Sequence, residues 1–164
     1  KKYLKNDILV LYSDIIFDSK IIQQILCSKK NISIAIDMNW EKMYEGRTDH
    51  HMSEAENIQL DKMNKIVEIR KNIQNKNKRV GEFLGIIKFS LNGAELFVKK
   101  YEELIKIHNG TFQQAPSISK AYITDMIQEL INSKISIEPI FVSGKWCEID
   151  TMQDLKNAEK IFYS

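Results

Sequence analysis

Two cysteines, two prolines and six glycines are all that 164 residues contain of these types, and each scarcity narrows the field. Cys27 and Cys147 lie far apart without a C-x-x-C companion, which reads as two incidental thiols in a reduced, intracellular (cytoplasmic) protein. No Pro/Gly-rich linker and no repeat divides the chain, so residues 1–164 read as one unit. The glycines are scattered and none forms a G-x-G cluster of the kind that cradles phosphates. No apolar run approaches the ~20 residues of a membrane span, and no signal peptide opens the chain. Charge of one sign is also lacking: 24 basic side chains against 22 acidic ones leave a net charge of +2 and no electrostatic case for a nucleic-acid partner. The basic run at 71–79 (KNIQNKNKR) is interrupted by Asn and Gln and reads as a solvated loop. What is present is an ordinary globular balance, 43% apolar and 28% charged, enough to build a core.

The apolar pattern predicts an α/β fold with a mixed, mainly parallel sheet flanked by helices. Residues 7–12 (DILVLY) form a continuous apolar run, the mark of a strand buried on both faces. Residues 18–28 follow at helical spacing, with Asp18 as N-cap, and 31–38 (NISIAIDM) form a second strand. Strand, helix and strand so close together predict a βαβ unit with two parallel strands. Residues 40–51 suggest a short helix and loop, and 58–69 a hairpin turning near 61–64. A strand at 82–90 contains Gly85, which inside a strand signals a bulge or a close backbone approach. Helices are predicted at 93–108, with a stripe of Leu96, Phe97, Tyr101, Leu104 and Ile105, and at 119–132. Residues 135–142 and 146–150 read as strands around a Ser143-Gly144 turn, and Thr151 with Asp154 caps a last helix through Phe162.

Chemistry concentrates at the ends of predicted strands. Asp14 leaves the first strand, where open α/β sheets bind ligands, and serves there as a metal ligand or as a turn aspartate. Glu148 and Asp150 leave a late strand two residues apart, so an extended backbone points them to one side. Helix capping is the alternative role for that pair. Together with Asp14 they would form a hard oxygen site suited to Mg²⁺. The tandem His50-His51, beside Asp49, lacks the usual ligand spacing and reads as exposed.

The segments LYSDIIFD, IDMNWEKMYEGR, SEAENIQL, GEFLGIIKFS, AYITDMIQELI and GKWCEIDTMQDLKNAEKIF occur in this order. As an ordered set they resemble the cytidylyltransferases that activate phosphocholine and related phosphorylated or phosphonate head groups. They are also similar to the nucleotidyltransferase domain fused to some phosphoenolpyruvate mutases. The resemblance covers nearly the whole chain and implies a Rossmann-like nucleotidyltransferase fold (GT-A-like). It implies an enzyme that takes CTP and a small phosphorylated acceptor, with Mg²⁺ held by Asp14 and Asp150, and a place in surface-polysaccharide or phosphonate precursor synthesis. At the head group it implies Trp40, Tyr122, Asp125 and Glu148; Trp40 and Tyr122 have core packing as their other role. No membrane partner is implied, and oligomeric state is left open.

The chain departs from the family at two points. Ser13 stands where the family usually has Gly, and the Gly-rich loop with Arg and Lys that grips the nucleotide is missing, so no nucleotide-binding residue is assigned. The expectation is a C-terminal two-thirds of one nucleotidyltransferase domain, inactive alone, with the loop upstream of Lys1. Two nearer and farther alternatives are a sugar-1-phosphate nucleotidyltransferase and a non-catalytic binding module that lost its loop. A glycosyltransferase would need D-x-D, whereas Asp14 and Asp18 are four apart.

Overall fold

The computed structural model describes residues 5–73 and 79–163, so most of the basic run at 71–79 lies outside the described residues. The first apolar run forms strand β1 (Ile8–Leu11), followed by a short β2 (Ile15–Phe17), helix α1 (Ser19–Leu26) and β3 (Ile32–Asp37). Two 3₁₀ turns, Trp40–Tyr44 and Met52–Glu54, lead into a hairpin of β4 (Glu56–Leu60) and β5 (Ile66–Lys71). Then come β6 (Arg79–Phe89), α2 (Leu91–Ile107), α3 (Ile123–Asn132), β7 (Glu138–Phe141), β8 (Trp146–Glu148) and α4 (Met152–Tyr163).

The main sheet runs β5-β4-β6-β3-β7, with β1 also paired to β6, while β2 and β8 form a separate two-stranded ribbon. The α/β class stands, but the sheet is not mainly parallel. Among the described residues every pairing is antiparallel except β3 with β7. The reason lies in β6. Strands β1 and β3 do point the same way, yet both pair with β6 (Ile8 and Ile32 each face Phe89), so β6 sits between the two strands of the expected βαβ unit. Paired among the described residues with β6 alone, β1 is only half-buried rather than covered on both faces.

Strand β6 is the spine of the molecule. Along one edge it pairs with β4 through Arg79–Glu82 and then with β1 through Ile86–Phe89; along the other it pairs with β3. The change of partner falls at Gly85, where φ is +65° and the register against β3 shifts. Gly85 O accepts Tyr12 N–H at 3.0 Å, and a Cβ here would come within 2.3 Å of the Tyr12 ring. Only glycine supplies that backbone and that space.

Alternation along the strands divides the core between two faces. On one, Ile34, Ile36, Ile58, Phe83 and Ile87 pack with Ile127 and Leu130 of α3 and Ala94 of α2. On the other, Ala35, Leu84 and Ile86 pack with Ile21 and Ile25 of α1, Trp40, Tyr44 and Trp146. The α2 stripe is less buried than its period suggested: Leu104 is covered, but Leu96 and Tyr101 are 38% and 40% exposed. Helix α3 starts later than expected, at Ile123, because residues 118–120 form a 3₁₀ turn. Among the described residues no helix is long and apolar enough to cross a membrane.

Candidate functional site

The β2–β8 ribbon brings together residues from opposite ends of the chain. Ile15 faces Glu148 and Phe17 faces Trp146, and Asp14 O accepts Ile149 N–H at 2.8 Å. The ribbon is pinned to the sheet by Trp146 Nε1–H, which donates to Asp37 Oδ2 at 2.8 Å. Asp14 therefore follows β1 as anticipated, but it lies at the start of the ribbon and not at the rim of the main sheet. Asp18 does not cap α1 with its side chain; its Oδ2 accepts Lys145 N–H at 2.9 Å and closes the turn into β8.

The final helix is capped as the sequence predicts, and the cap fixes Asp150. Asp154 Oδ2 accepts from Thr151 N–H at 3.0 Å, Thr151 Oγ1–H at 2.8 Å and Asp150 N–H at 3.3 Å, while Thr151 Oγ1 accepts Asp154 N–H at 3.2 Å. Asp154 is fully buried, and its charge is matched by Arg47, whose Nε lies 2.7 Å from Oδ1. Arg47 stacks over the Tyr44 ring at 4.7 Å, and its Nη2 reaches Asp150 Oδ2 at 3.5 Å. His50 Nδ1 sits 3.2 Å from the same Asp150 oxygen. Gln153 completes this junction: its Oε1 accepts Thr48 N–H at 2.8 Å and Asp49 N–H at 3.3 Å.

The result is a crowd of carboxylates. His50, Glu148 and Asp150 each offer a ligand atom within 4.8 Å of the others. Burial first, then the Asp150 charge, with Asp14 and Glu56 adding, push Glu148 up to about 7, against the pull of Arg47. Glu82, in the middle of β6, is 1% exposed; Tyr44 O–H donates to its Oε1 at 2.6 Å, and its buried Oε2 has no hydrogen-bond partner among the described residues. Burial, followed by the charge of Glu148, raises Glu82 well above the ordinary carboxyl value. Glu56 is held by Tyr12 O–H (2.9 Å) and Thr124 Oγ1–H (3.1 Å), and is raised by burial against those two hydrogen bonds. Like charges so close disfavour full ionisation until a cation joins them.

Of the residues singled out in the sequence, Glu148 and Asp150 come together with His50, while Asp14 lies at the end of the ribbon, joined to it through its backbone oxygen. In the head-group set, Trp40 and Asp125 are engaged by the fold itself. Trp40 is 6% exposed, packs edge-on against Tyr44 and donates Nε1–H to Val80 O at 3.3 Å, so it is a core residue. Asp125 has both carboxylate oxygens engaged by backbone, Oδ2 by Tyr122 N–H (2.8 Å) and Oδ1 by Gln114 N–H (3.1 Å). That makes it a helix cap and loop anchor. Tyr122 is 70% exposed and lines an apolar groove with Phe97, Tyr101 and Met126. His50, set aside in the sequence, is brought to Asp150. Arg47, Tyr44 and Glu82 were also missed, although a glutamate inside the buried run GEFLGII is itself a signal.

No family model matches the chain. Over 155 residues it is 26% identical to the CTP:phosphoglutamine cytidylyltransferase of Campylobacter jejuni subsp. jejuni serotype O:2, covering 93% of this chain and 58% of that protein. Its fold matches a chain assigned as a glucose-1-phosphate thymidylyltransferase from Bacillus anthracis, solved with sucrose, at a TM-score of 0.61 and 16% identity. That match covers 95% of this chain and 54% of the other, so this chain spans little more than half the length of either protein.

Proposed function

Because this chain is a relative of the cytidylyltransferase-type nucleotidyltransferases, we propose that it forms the acceptor-side and cation-binding part of an enzyme transferring a cytidylyl group from CTP to a small phosphorylated molecule. An acceptor phosphate oxygen attacks the α-phosphorus, a new P–O bond forms, and the bond to the β-phosphate breaks, so that pyrophosphate leaves with the electron pair. The observation that carries this reading is the crowding of Glu148 and Asp150 at the end of the ribbon that Asp14 enters, with Glu148 pushed up to about 7 by burial and then by the Asp150 charge. Such crowding fits a divalent cation, which offsets the repulsion that raises Glu148. Asp14 and Asp150 would hold Mg²⁺, which when bound neutralises charge on the reacting phosphates.

The protein's own part is placement. The Thr151–Asp154 cap fixes the backbone at Asp150, and Arg47 holds Asp154 from the other side. The attacking phosphate is already anionic near neutral pH, so alignment and charge neutralisation dominate over proton transfer. With Trp40 buried and both Asp125 oxygens engaged by backbone, neither is free to hold a cationic head group. A phosphorylated amino acid amide, the acceptor named for the Campylobacter protein, is the first candidate.

The test is pyrophosphate release by the full gene product with Mg²⁺. It crosses CTP, UTP, ATP and GTP with phosphoglutamine, phosphocholine, 2-aminoethylphosphonate and glucose 1-phosphate. CTP-dependent release with one acceptor is expected, and kcat should fall at least ~100-fold in Asp14→Ala and Asp150→Ala, the scale of losing one strong electrostatic stabiliser. Near wild-type turnover in both variants would remove the cation assignment; release with a sugar phosphate alone would replace the acceptor.

A further inference from the structure

The loop at 46–50 carries a feature that the carboxylates alone do not explain. It lies against the first turn of α4, held by Arg47–Asp154 at 2.7 Å, by the two backbone N–H groups that donate to Gln153 Oε1, and by Gln153 Nε2–H donating to Gly46 O at 3.3 Å. At its end the His50 imidazole tilts against the Tyr44 ring, centroids 6.3 Å apart, and is mostly covered, its side chain 20% exposed. So many attachments deliver one nitrogen to one place, beside Glu148 and Asp150.

We infer that His50 is a third ligand of the cation site, and that the site is therefore a mixed nitrogen–oxygen centre taking a first-row transition cation such as Mn²⁺ in preference to Mg²⁺. This rests on the cation site proposed above, with which it shares Asp150, and brings in Glu148 beside it. The distances suit one ion. Two ligands about 2.1 Å from a shared cation lie at most about 4.2 Å apart, so the observed spread of 4.8 Å or less closes with a side-chain adjustment of roughly half an ångström. The donor chemistry then decides the occupant. Mg²⁺ prefers oxygen and retains water, whereas imidazole raises affinity for transition cations. Arg47 does not fill the place of the ion, because its closer partner is Asp154 at 2.7 Å and Asp150 is only its 3.5 Å neighbour. Asp150 Oδ2 faces the imidazole nitrogen at 3.2 Å, a separation normal for two ligands of one ion.

The experiment titrates Mn²⁺ into the full gene product without nucleotide. Free Mn²⁺ is followed by its continuous-wave paramagnetic resonance signal, and its bound neighbours by pulsed measurement of ¹⁴N coupling. One bound ion with a single imidazole coupling is expected. His50→Ala should abolish that coupling and weaken Mn²⁺ about tenfold or more, while Mg²⁺ affinity, read by competition, moves less than about twofold. His51→Ala, at the exposed neighbour, should change neither. His50→Gln, checked for native circular dichroism, repeats the loss where alanine perturbs the loop. Bound Mn²⁺ without nitrogen coupling, or coupling removed by His51→Ala instead, overturns the inference. If Asp14→Ala still abolishes Mn²⁺ binding in that case, the carboxylate site survives and only His50 leaves it. Absence of Mn²⁺ binding at millimolar concentration overturns both.

Discussion

Glu82 occupies the centre of β6 at 1% exposure, with Tyr44 as its hydrogen-bond donor and one oxygen without a hydrogen-bond partner among the described residues. Its raised protonation has a definite sign. Unfolded, the carboxyl titrates near its ordinary 4.5; folded, it holds its proton to higher pH. Between the two values the native state binds the extra proton. Stability contributed this way is complete at pH below 4.5 and is lost as pH climbs through the folded value. Glu148, at about 7, acts in the same direction. In cation-free buffer Tm should therefore fall as pH rises from about 5 to about 8, and Glu82→Gln, which is neutral at every pH, should flatten that slope. A slope unchanged by Glu82→Gln would place the protons elsewhere. At this scale the sequence was legible where a residue acts locally: Thr151 and Asp154 cap α4 as their spacing predicted. His50 was not legible, because its partners come from the end of β8 and the turn after it, about a hundred residues away, and no local spacing encodes them.

Among the elements, β6 shows how one residue sets a topology. Gly85 turns the strand from β4 to β1 at a positive φ that other residues adopt poorly, and Tyr12 lies against its missing side chain. Gly85→Ala should lower unfolding free energy by at least about 2 kcal/mol, from backbone strain and overpacking together, with an unchanged urea m-value. A loss below about 0.5 kcal/mol would mean that β1 shifts freely, contrary to tight packing. The glycine in a strand pattern gave this away, whereas the parallel sheet expected from βαβ spacing did not survive. Order along the chain says which strands are close in sequence; it does not say that β6 will enter between β1 and β3. In α2 the period located an apolar stripe, but whether a layer covers it depends on the fold around it, and Ile105 stays 49% exposed.

For the molecule as a whole, the two core faces hold a pocket of acids against their own repulsion. Any cation that binds the fold and not the unfolded chain shifts the folding equilibrium by mass action, worth about 2.7 kcal/mol at a hundred times its Kd. Mn²⁺ and Mg²⁺ should therefore raise Tm relative to NaCl of equal ionic strength, and excess chelator should cancel the rise. Asp150→Asn should abolish the cation-dependent part while leaving the cation-free Tm equal or higher, since it relieves crowding at Glu148. An equal cation shift in Asp150→Asn would locate binding elsewhere. Placement at strand ends put Asp14 and Asp150 on one list in the sequence, but the pairing of β2 with β8 that joins their segments leaves no periodic trace over such a span.

The ribbon also sets a timetable for synthesis. Strand β2 leaves the ribosome long before β8, its pairing partner. Until then Asp14 is present without Glu148 and Asp150, and α4 has not capped the backbone that positions them. A nascent chain halted before β8 can already pair β1, β3, β4, β5 and β6, because those strands find one another earlier. The acid pocket is thus withheld from the growing polypeptide until β8 and α4 have emerged.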